Sequence, residues 1–461
     1  MNRHKKNFFP TMQNAWKRSI VGMLCMVLVG LFMMSYSFAQ VPWDSSVQGN
    51  GTQSDPWQIT TAVQLEALAD YVNAGNGNAT RNKYYILMND INLSRYADWI
   101  PIGKSTNETT FQGKFNGNGK IVQNLTIDGL LCGVSNIGFF GSIFNASIEN
   151  LGIVNCNVTG CYSTGGLTGF SLNSSIFNCY VTGNVSGNLS NTGGLVGYNS
   201  NSFISDCYAA GSVSGSGVVG GLVGHNDYAT ITNCYAANSV SDGGAYMGGL
   251  VGFSEEESTI CNCVAANSIV AMSSNSSLTI GRIVGYHYTT TVLYNNYALD
   301  SMTVRNSNGN VSITDNLNTK AGIAVSMDTL QSFAFYANAS NWKNTVWNIE
   351  NYPNSVWKIC DGKVLPFLRW QGILCDGETG IANVSQNVLQ IYPNPTSGQL
   401  RIKNEELRED TVVEIYDVVG KLLQSTIVNL QPEMIIDISH LANGIYILKI
   451  NNEVVKKIIK L

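Results

Sequence analysis

Gly193-Gly194-Leu195-Val196-Gly197 returns as Gly220-Gly221-Leu222-Val223-Gly224 and again as Gly248-Gly249-Leu250-Val251-Gly252. Upstream it reads Gly165-Gly166-Leu167-Thr168-Gly169 and Gly138-Phe139-Phe140-Gly141; downstream a worn copy reads Gly281-Arg282-Ile283-Val284-Gly285. The closing glycines, Gly141, Gly169, Gly197, Gly224, Gly252 and Gly285, are spaced by 28, 28, 27, 28 and 33 residues. A fixed period of this size marks a stacked-repeat architecture and outranks local propensity.

A second phrase keeps step, 10 or 11 residues after each closing glycine: Ile148-Glu149-Asn150-Leu151, Ile176-Phe177-Asn178-Cys179, Ile204-Ser205-Asp206-Cys207, Ile231-Thr232-Asn233-Cys234 and Ile260-Cys261-Asn262-Cys263. Val292, Asn295 and Asn296 end the series, and Ile121 to Leu125 reads as an earlier member. Leu125, Leu151, Cys179, Cys207, Cys234 and Cys263 are therefore expected in one inward column. Both phrases are β-branched or aromatic and bounded by Asn, Ser and Gly, which is strand and turn chemistry. The unit fits one turn of a parallel β-solenoid, each turn adding about 4.8 Å. Seven rungs are readable, with glycines at corners that need positive φ or close backbone approach.

The glycine phrases resemble GLUG motifs of bacterial surface and secreted proteins, over roughly Gly49 to Trp370. The fold class expected is all-β: a parallel β-solenoid (β-helix) of about 28-residue GLUG repeats, followed by a small C-terminal β-sandwich. The expected division is a signal peptide at 1–39, an N-terminal cap and entry strands at 40–120, and the solenoid at 121–315. A Trp-rich closing segment follows at 316–375, a linker at 376–388 and a C-terminal domain at 389–461.

The chain has 461 residues, a net charge of -5 and only 12% charged residues. Its acidity argues against nucleic acid, and an exterior of Asn, Ser, Thr and Gly suits an extracellular protein. Arg3, Lys5, Lys6, Lys17 and Arg18 precede an apolar run from Ser19 to Met34, and Ser37-Phe38-Ala39 offers small residues before a cut between Ala39 and Gln40. An uncleaved anchor is the alternative. Thr60 to Val72 reads as a helix capped by Thr61, with Val63, Leu65, Leu68, Ala69 and Val72 on its apolar side. Asp55 and Asp90 read as turn and cap residues rather than a carboxylate pair.

An exported chain permits disulfides. Cys179, Cys207, Cys234 and Cys263 point the same way in a stack, so they read as buried thiols; Cys156 with Cys161 and Cys360 with Cys375 are the bridge candidates. No histidine joins the column, so no metal or other cofactor is expected. Trp342, Trp347, Trp357 and Trp370 read as an aromatic plug over the last rung, with a sugar-stacking platform as the alternative.

From Ile391 the composition changes. Pro393-Asn394-Pro395, Gly398, Gly420, Gly444 and Lys456-Lys457 punctuate short alternating strands, the pattern of a small sandwich. This module resembles the type A C-terminal sorting domain of the type IX secretion system of Bacteroidetes. The resemblance implies passage through the periplasm and outer membrane to the cell surface or the medium, with attachment to the outer surface possible, and the secretion machinery as a partner.

Function divides two ways. One reading is a non-catalytic adhesin or a glycan- or host-surface-binding scaffold. The other is a polysaccharide lyase or glycoside hydrolase on a parallel β-helix. An enzyme of that kind needs two carboxylates at a fixed separation, or a calcium cluster with a basic residue. Here Asp206, Asp227 and Asp242 read as isolated, Glu255-Glu256-Glu257 as a solvated turn, and His225 and His287 as rung-end aromatics. No catalytic motif is present, so the non-enzyme reading is preferred.

Overall fold

The computed structural model describes residues 43–104, 108–129, 135–275, 279–343, 346–349, 355–375, 390–392, 396–403, 411–417, 421–428, 433–450 and 453–460. The expected signal cleavage at Ala39 and Gln40, and Pro393, Asn394, Pro395 and Gly420, lie outside these residues.

Short strands wind into a parallel β-solenoid of three sheets. The first sheet is the longest. One inward column runs through Trp57, Tyr85, Phe115, Ile148, Ile176, Ile204, Ile231, Ile260 and Leu293, each in register with the next and all buried. Coiling thus starts at Trp57, well before Ile121, and makes about nine turns rather than seven. The second sheet stacks Phe140–Phe144, Thr168–Leu172, Val196–Ser200, Val223–Asp227, Val251–Ser254 and Val284–His287. Its neighbour, the third sheet, stacks the strands that end on the first glycine of each phrase, Gly165, Gly193, Gly220, Gly248 and Gly281. Leu167, Leu195, Leu222, Leu250 and Ile283 turn inward between the two sheets and are fully buried.

The corners correct the glycine expectation. Positive φ in the repeats is supplied mainly by asparagine: Asn150, Asn178, Asn233, Asn262 and Asn295 share one corner with Asp206, at φ between 51° and 55°. Asn tolerates this left-handed region because its short side chain bonds locally. Among the repeat glycines Gly183 and Gly211 have positive φ, but those of the glycine phrase do not and are there for close approach. A Cβ on Gly249 would collide with the backbone oxygen of Arg282 in the coil above. Arg282 can carry a side chain because no further glycine phrase stacks on it. It instead holds the end of the stack, donating to Ala321 O, Gly322 O and the Asp315 carboxylate.

Cys179, Cys207, Cys234 and Cys263 form a buried inward column. The Cys179 and Cys207 backbone N–H groups each donate to the thiol sulfur of the next coil at 3.4 Å, and Cys263 N–H donates to Asn296 Oδ1. Leu125 does not begin this column. Thr126 is in register with Asn157, and Asn157 N–H donates to Leu125 O, which sets Leu125 level with Cys156. The partner of Ile148 is Phe115, not Ile121, because residues 117–120 form an irregularity that displaces the following strand. Cys156 is a free buried thiol, whereas Cys161 is disulfide-bonded, so the Cys156–Cys161 pairing is wrong. Cys360 and Cys375 are joined.

At the N-terminal side, a helix at Ala62–Tyr71 is capped by Thr61, whose Oγ1 accepts Gln64 N–H while Gln64 Oε1 accepts the Thr61 N–H. Leu65, Leu68 and Ala69 face the core, but Val63 is 62% exposed. Asp90 accepts the Ile121 N–H from the next coil, so it ties two coils together rather than closing a local turn.

The tryptophan segment is neither an end plug nor a platform. It runs back along the outer side of the first sheet as a strap. Trp342 packs on Tyr297, Trp347 donates to Asn262 O, Trp357 donates to Asp206 Oδ1, and Trp370 donates to Asn178 O. The strap therefore tracks the left-handed corner from the last coils toward the first. Beneath it Tyr180, Tyr208 and Tyr235 stack with ring centroids 4.9 and 4.7 Å apart. An outward apolar stripe of this size needs cover, and the strap supplies it; Trp347 and Trp357 are fully buried and unavailable to a sugar.

The C-terminal module has a three-stranded and a four-stranded antiparallel sheet. Leu400 and Ile436 from one meet Val413, Ile415, Leu448 and Ile458 from the other in one small core, the expected sandwich.

Candidate functional site

Strand alternation puts residues two apart on one face. In the second sheet Asn199 and Asn226 point inward, where Asn199 Nδ2 donates to Asn226 Oδ1 at 2.9 Å. Their neighbours face outward. The residue after each closing glycine forms an in-register ladder of rings, Phe170, Tyr198, His225, Phe253 and Tyr286. Tyr198 and His225 stack at 4.5 Å, and His225 and Phe253 lie 4.8 Å apart. Tyr246, from the third sheet, stacks on both Phe253 and Tyr286 at 4.9 and 5.1 Å. Tyr288 meets Phe253 edge-on. Tyr286 and Tyr288 are 37% and 42% exposed, so the last two coils present an open aromatic surface.

Two residues further along each strand the ladder turns polar. Asp227 Oδ2 accepts the Tyr198 hydroxyl at 3.2 Å and the Ser200 hydroxyl at 3.1 Å. In the next coil Glu255 follows Ser254, the register partner of Asn226, and so stands beside Asp227, with its carboxyl 3.3 Å from His225 Nε2. Burial raises the Glu255 pKa, and the Asp227 charge raises it further. Burial also pulls His225 down to about 4 against the opposing pull of Asp227, so the imidazole is neutral at pH 7. Tyr198 is pushed up to about 12 by burial and then by Asp227. Asp227 Oδ1 is buried without a hydrogen-bond donor. Next to this pair the corner held by Asn145, Asn173 and Asn201 in earlier coils passes to Tyr228 and Glu257, at φ of 48° and 52°. Tyr228 is an unfavourable occupant of that region, and its ring is exposed.

Asp227 is therefore not isolated, and Glu255 is not part of a simple solvated turn; Glu256 and Glu257 are exposed. His225 stands in the ring ladder, while His287 is one residue beyond Tyr286 and its Nδ1 lies 2.9 Å from Tyr288 O. Asp242 is exposed, and Asp206 lies under the strap. The closing glycines Gly141, Gly169, Gly197, Gly224, Gly252 and Gly285 underlie the face from within the second sheet. The sequence reading missed Tyr246, Tyr286 and Tyr288. The signal was in the period: the third residue after the closing glycine is Ser200, Asp227, Glu255 and Tyr288 in successive coils.

In the C-terminal module Gly398 has φ of 150°, and a Cβ there would press on Ser439. Gly444 opens the strand Gly444–Ile450, and Lys456 and Lys457 lie in the last strand opposite Leu448 and Ile447.

Comparison with known proteins identifies two elements. Residues 390–461 match the secretion system C-terminal sorting domain. Residues 160–186, 188–214 and 215–241 match the GLUG motif. Halomucin of Haloquadratum walsbyi is 34% identical over 149 residues, 30% of this chain and 2% of that protein. A protein of Evansella cellulosilytica, provisionally named a Gly-rich membrane protein, is 32% identical over 134 residues, 27% of this chain and 14% of that protein. This chain thus spans only a small part of the length of these relatives. A solved structure from Bacteroides ovatus, provisionally described as an immunoglobulin A1 protease, aligns over 70% of this chain and 94% of that one, at 23% identity and a TM-score of 0.44. The chain is a GLUG-repeat β-solenoid with a type IX sorting tail. That tail implies interaction with the secretion machinery and export to the cell surface or the medium.

Proposed function

We propose that this exported repeat protein is a non-catalytic scaffold of the adhesin class, binding a glycan or a host-surface component. The observation that carries the reading is the exposed ring surface of Tyr286 and Tyr288, continuous with Phe253 and Tyr246, on the second sheet. Rings fixed in a β-ladder lose little entropy on binding and present large amphipathic faces. The strap covers the other long aromatic ladder, so this one is the open surface among the described residues.

The division into cap, solenoid, closing strap, linker and tail, and the export signal at Ala39, belong to the same proposal.

The test is binding of the purified protein to an array of glycans and immobilised host and microbial polymers, beside the Tyr286→Ala/Tyr288→Ala variant. Retention by the native protein and loss by the folded variant support the reading. Equal retention places binding on another face, and no retention on any surface overturns the scaffold role.

A further inference from the structure

We infer that the free edge of the last second-sheet strand, Val284–His287, takes an extended segment of another polypeptide, added in parallel where a further coil would lie, with an aromatic side chain laid on Tyr286. This rests on the binding role proposed above and names the class of partner. The strands Thr168–Leu172, Val196–Ser200, Val223–Asp227 and Val251–Ser254 each pair with a strand on both sides. Among the described residues Val284–His287 pairs with Val251–Ser254 alone. The segment crossing the end of the stack replaces only the first half of a further strand. Lys320 O accepts the Ile283 and Val284 N–H groups, and Lys320 Nζ reaches Gly285 O at 3.5 Å. The second half is left open. Phe253 is 8% exposed, but Tyr286, at the same position one coil on, is 37% exposed. Ser254 is buried, whereas its register partner His287 is only half-buried.

The preceding coils define what fits. Asn226 O accepts the Glu255 N–H at 2.8 Å, and Ser254 O accepts the Tyr288 N–H at 3.1 Å. His287 is the next member of this register file. In a parallel ladder a residue directs its N–H and C=O to the same neighbouring strand, so the His287 pair points off the end. An extended peptide backbone matches such a donor and acceptor, which is the physics of strand addition. The rings agree. Tyr198 and His225 stack on their neighbours, and Tyr286 stacks on Tyr246 and lies 6.0 Å from Phe253. No described ring of a further coil covers Tyr286, so a tyrosine or phenylalanine of the added segment continues the ladder. A glycan would cover the ring without a fixed partner for the His287 N–H and C=O. A folded second copy is a poor source, because its strands from Thr168 to Ser254 are paired on both sides. The chain itself shows the fitting sequence: a small residue over Gly285, a ring over Tyr286 and a short polar residue over His287, as in Gly197-Tyr198-Asn199.

The experiment uses the protein recovered from the surface or medium of its host and a dye-labelled, end-capped peptide copying residues 197–202, Gly-Tyr-Asn-Ser-Asn-Ser. Anisotropy titrations compare it with three relatives. One has serine in place of the tyrosine. One is N-methylated at the Ser200 position, whose N–H is the donor to His287 O in the added strand. One is N-methylated at the Asn199 position, whose N–H points away from the protein. The parent and the Asn199-methylated peptide should bind alike, within about twofold, and the other two about tenfold or more weakly, as expected for losing a ring contact or a hydrogen bond. His287→Pro removes the N–H of an edge strand, where proline is tolerated, and should weaken the parent peptide by a similar factor with unchanged circular dichroism. Should that variant not fold, the two methylated peptides decide. Equal binding of both methylated peptides, or full binding to folded His287→Pro, overturns the inference. A dimer of the protein that His287→Pro disperses, with no peptide bound, also overturns it and places a second copy on the edge. Binding of a labelled neutral cello-oligosaccharide in place of the peptide overturns it too, yet leaves the scaffold reading standing; that reading falls only with the array experiment.

Discussion

Trp357 donates its indole N–H to Asp206 Oδ1 at 3.0 Å, joining the strap to the one acidic member of an otherwise asparagine corner. Burial raises the Asp206 pKa, and the hydrogen bonds from Trp357, Ser205 and Asn233 only partly offset it. A carboxyl whose pKa is higher folded than unfolded binds its proton more tightly in the folded state. Its contribution is most favourable below the unfolded carboxylate range and is lost as pH rises through the folded pKa. Asp206→Asn keeps both the acceptor and the left-handed preference. It should raise stability at pH 7 by about 1 kcal/mol and flatten the acid-to-neutral slope. Melting curves of both proteins from acidic to neutral pH check this; an unchanged slope refutes it.

The strap depends on its tryptophans. Trp357 is fully buried against Tyr208 and Tyr235, so Trp357→Ala should cost about 3–5 kcal/mol. The strap should then become a preferred site of limited proteolysis while the coils beneath remain protected. Cleavage that begins equally in the coils would show that strap and solenoid unfold together.

The thiol column should be silent in the native state. Burial raises the pKa values of Cys207, Cys234 and Cys263 well above the ordinary thiol value, and thiolate is the reactive form. Iodoacetamide should modify them only in denaturant, as read by peptide mass spectrometry. Cys207→Asp should destabilise the fold by several kcal/mol, because a buried charge there has no partner.

Stack length is written in the glycine phrase. Gly249→Ala should cost roughly 3 kcal/mol, since its Cβ meets the Arg282 backbone oxygen, which cannot rotate away. Arg282→Gly should instead fray only the last coil, by freeing Ala321 O and Gly322 O. Hydrogen exchange should resolve the two patterns.

The period made the solenoid legible, because each repeat fills the same site in successive coils, and the sandwich was legible from its alternating strands. Three features were not. The first three turns around Trp57, Tyr85 and Phe115 carry no glycine phrase, so their coiling shows only in register. Residues 117–120 displace one strand and misplaced Leu125. The strap is a contact between distant positions; Trp357 and Asp206 are 151 residues apart, and nothing local in a sequence encodes such a distance.

Export is the remaining prediction. The two cores are distinct: Leu400, Val413, Ile436 and Leu448 belong to a cluster separate from the solenoid's. Because each coil buries its neighbours, deletion of residues 390–461 should leave the solenoid folded, with an unchanged melting transition for that part. The truncated chain, with its N-terminal segment through Ala39 intact, should still leave the cytoplasm. It should then stop in the periplasm, because the matched sorting domain is gone. Fractionation of tagged full-length and truncated proteins in the native host, with protease shaving of whole cells, separates these locations. Truncated protein at the surface or in the medium would mean that the C-terminal sheets do not act as an address, and their exposed strands would then have to be tested for binding.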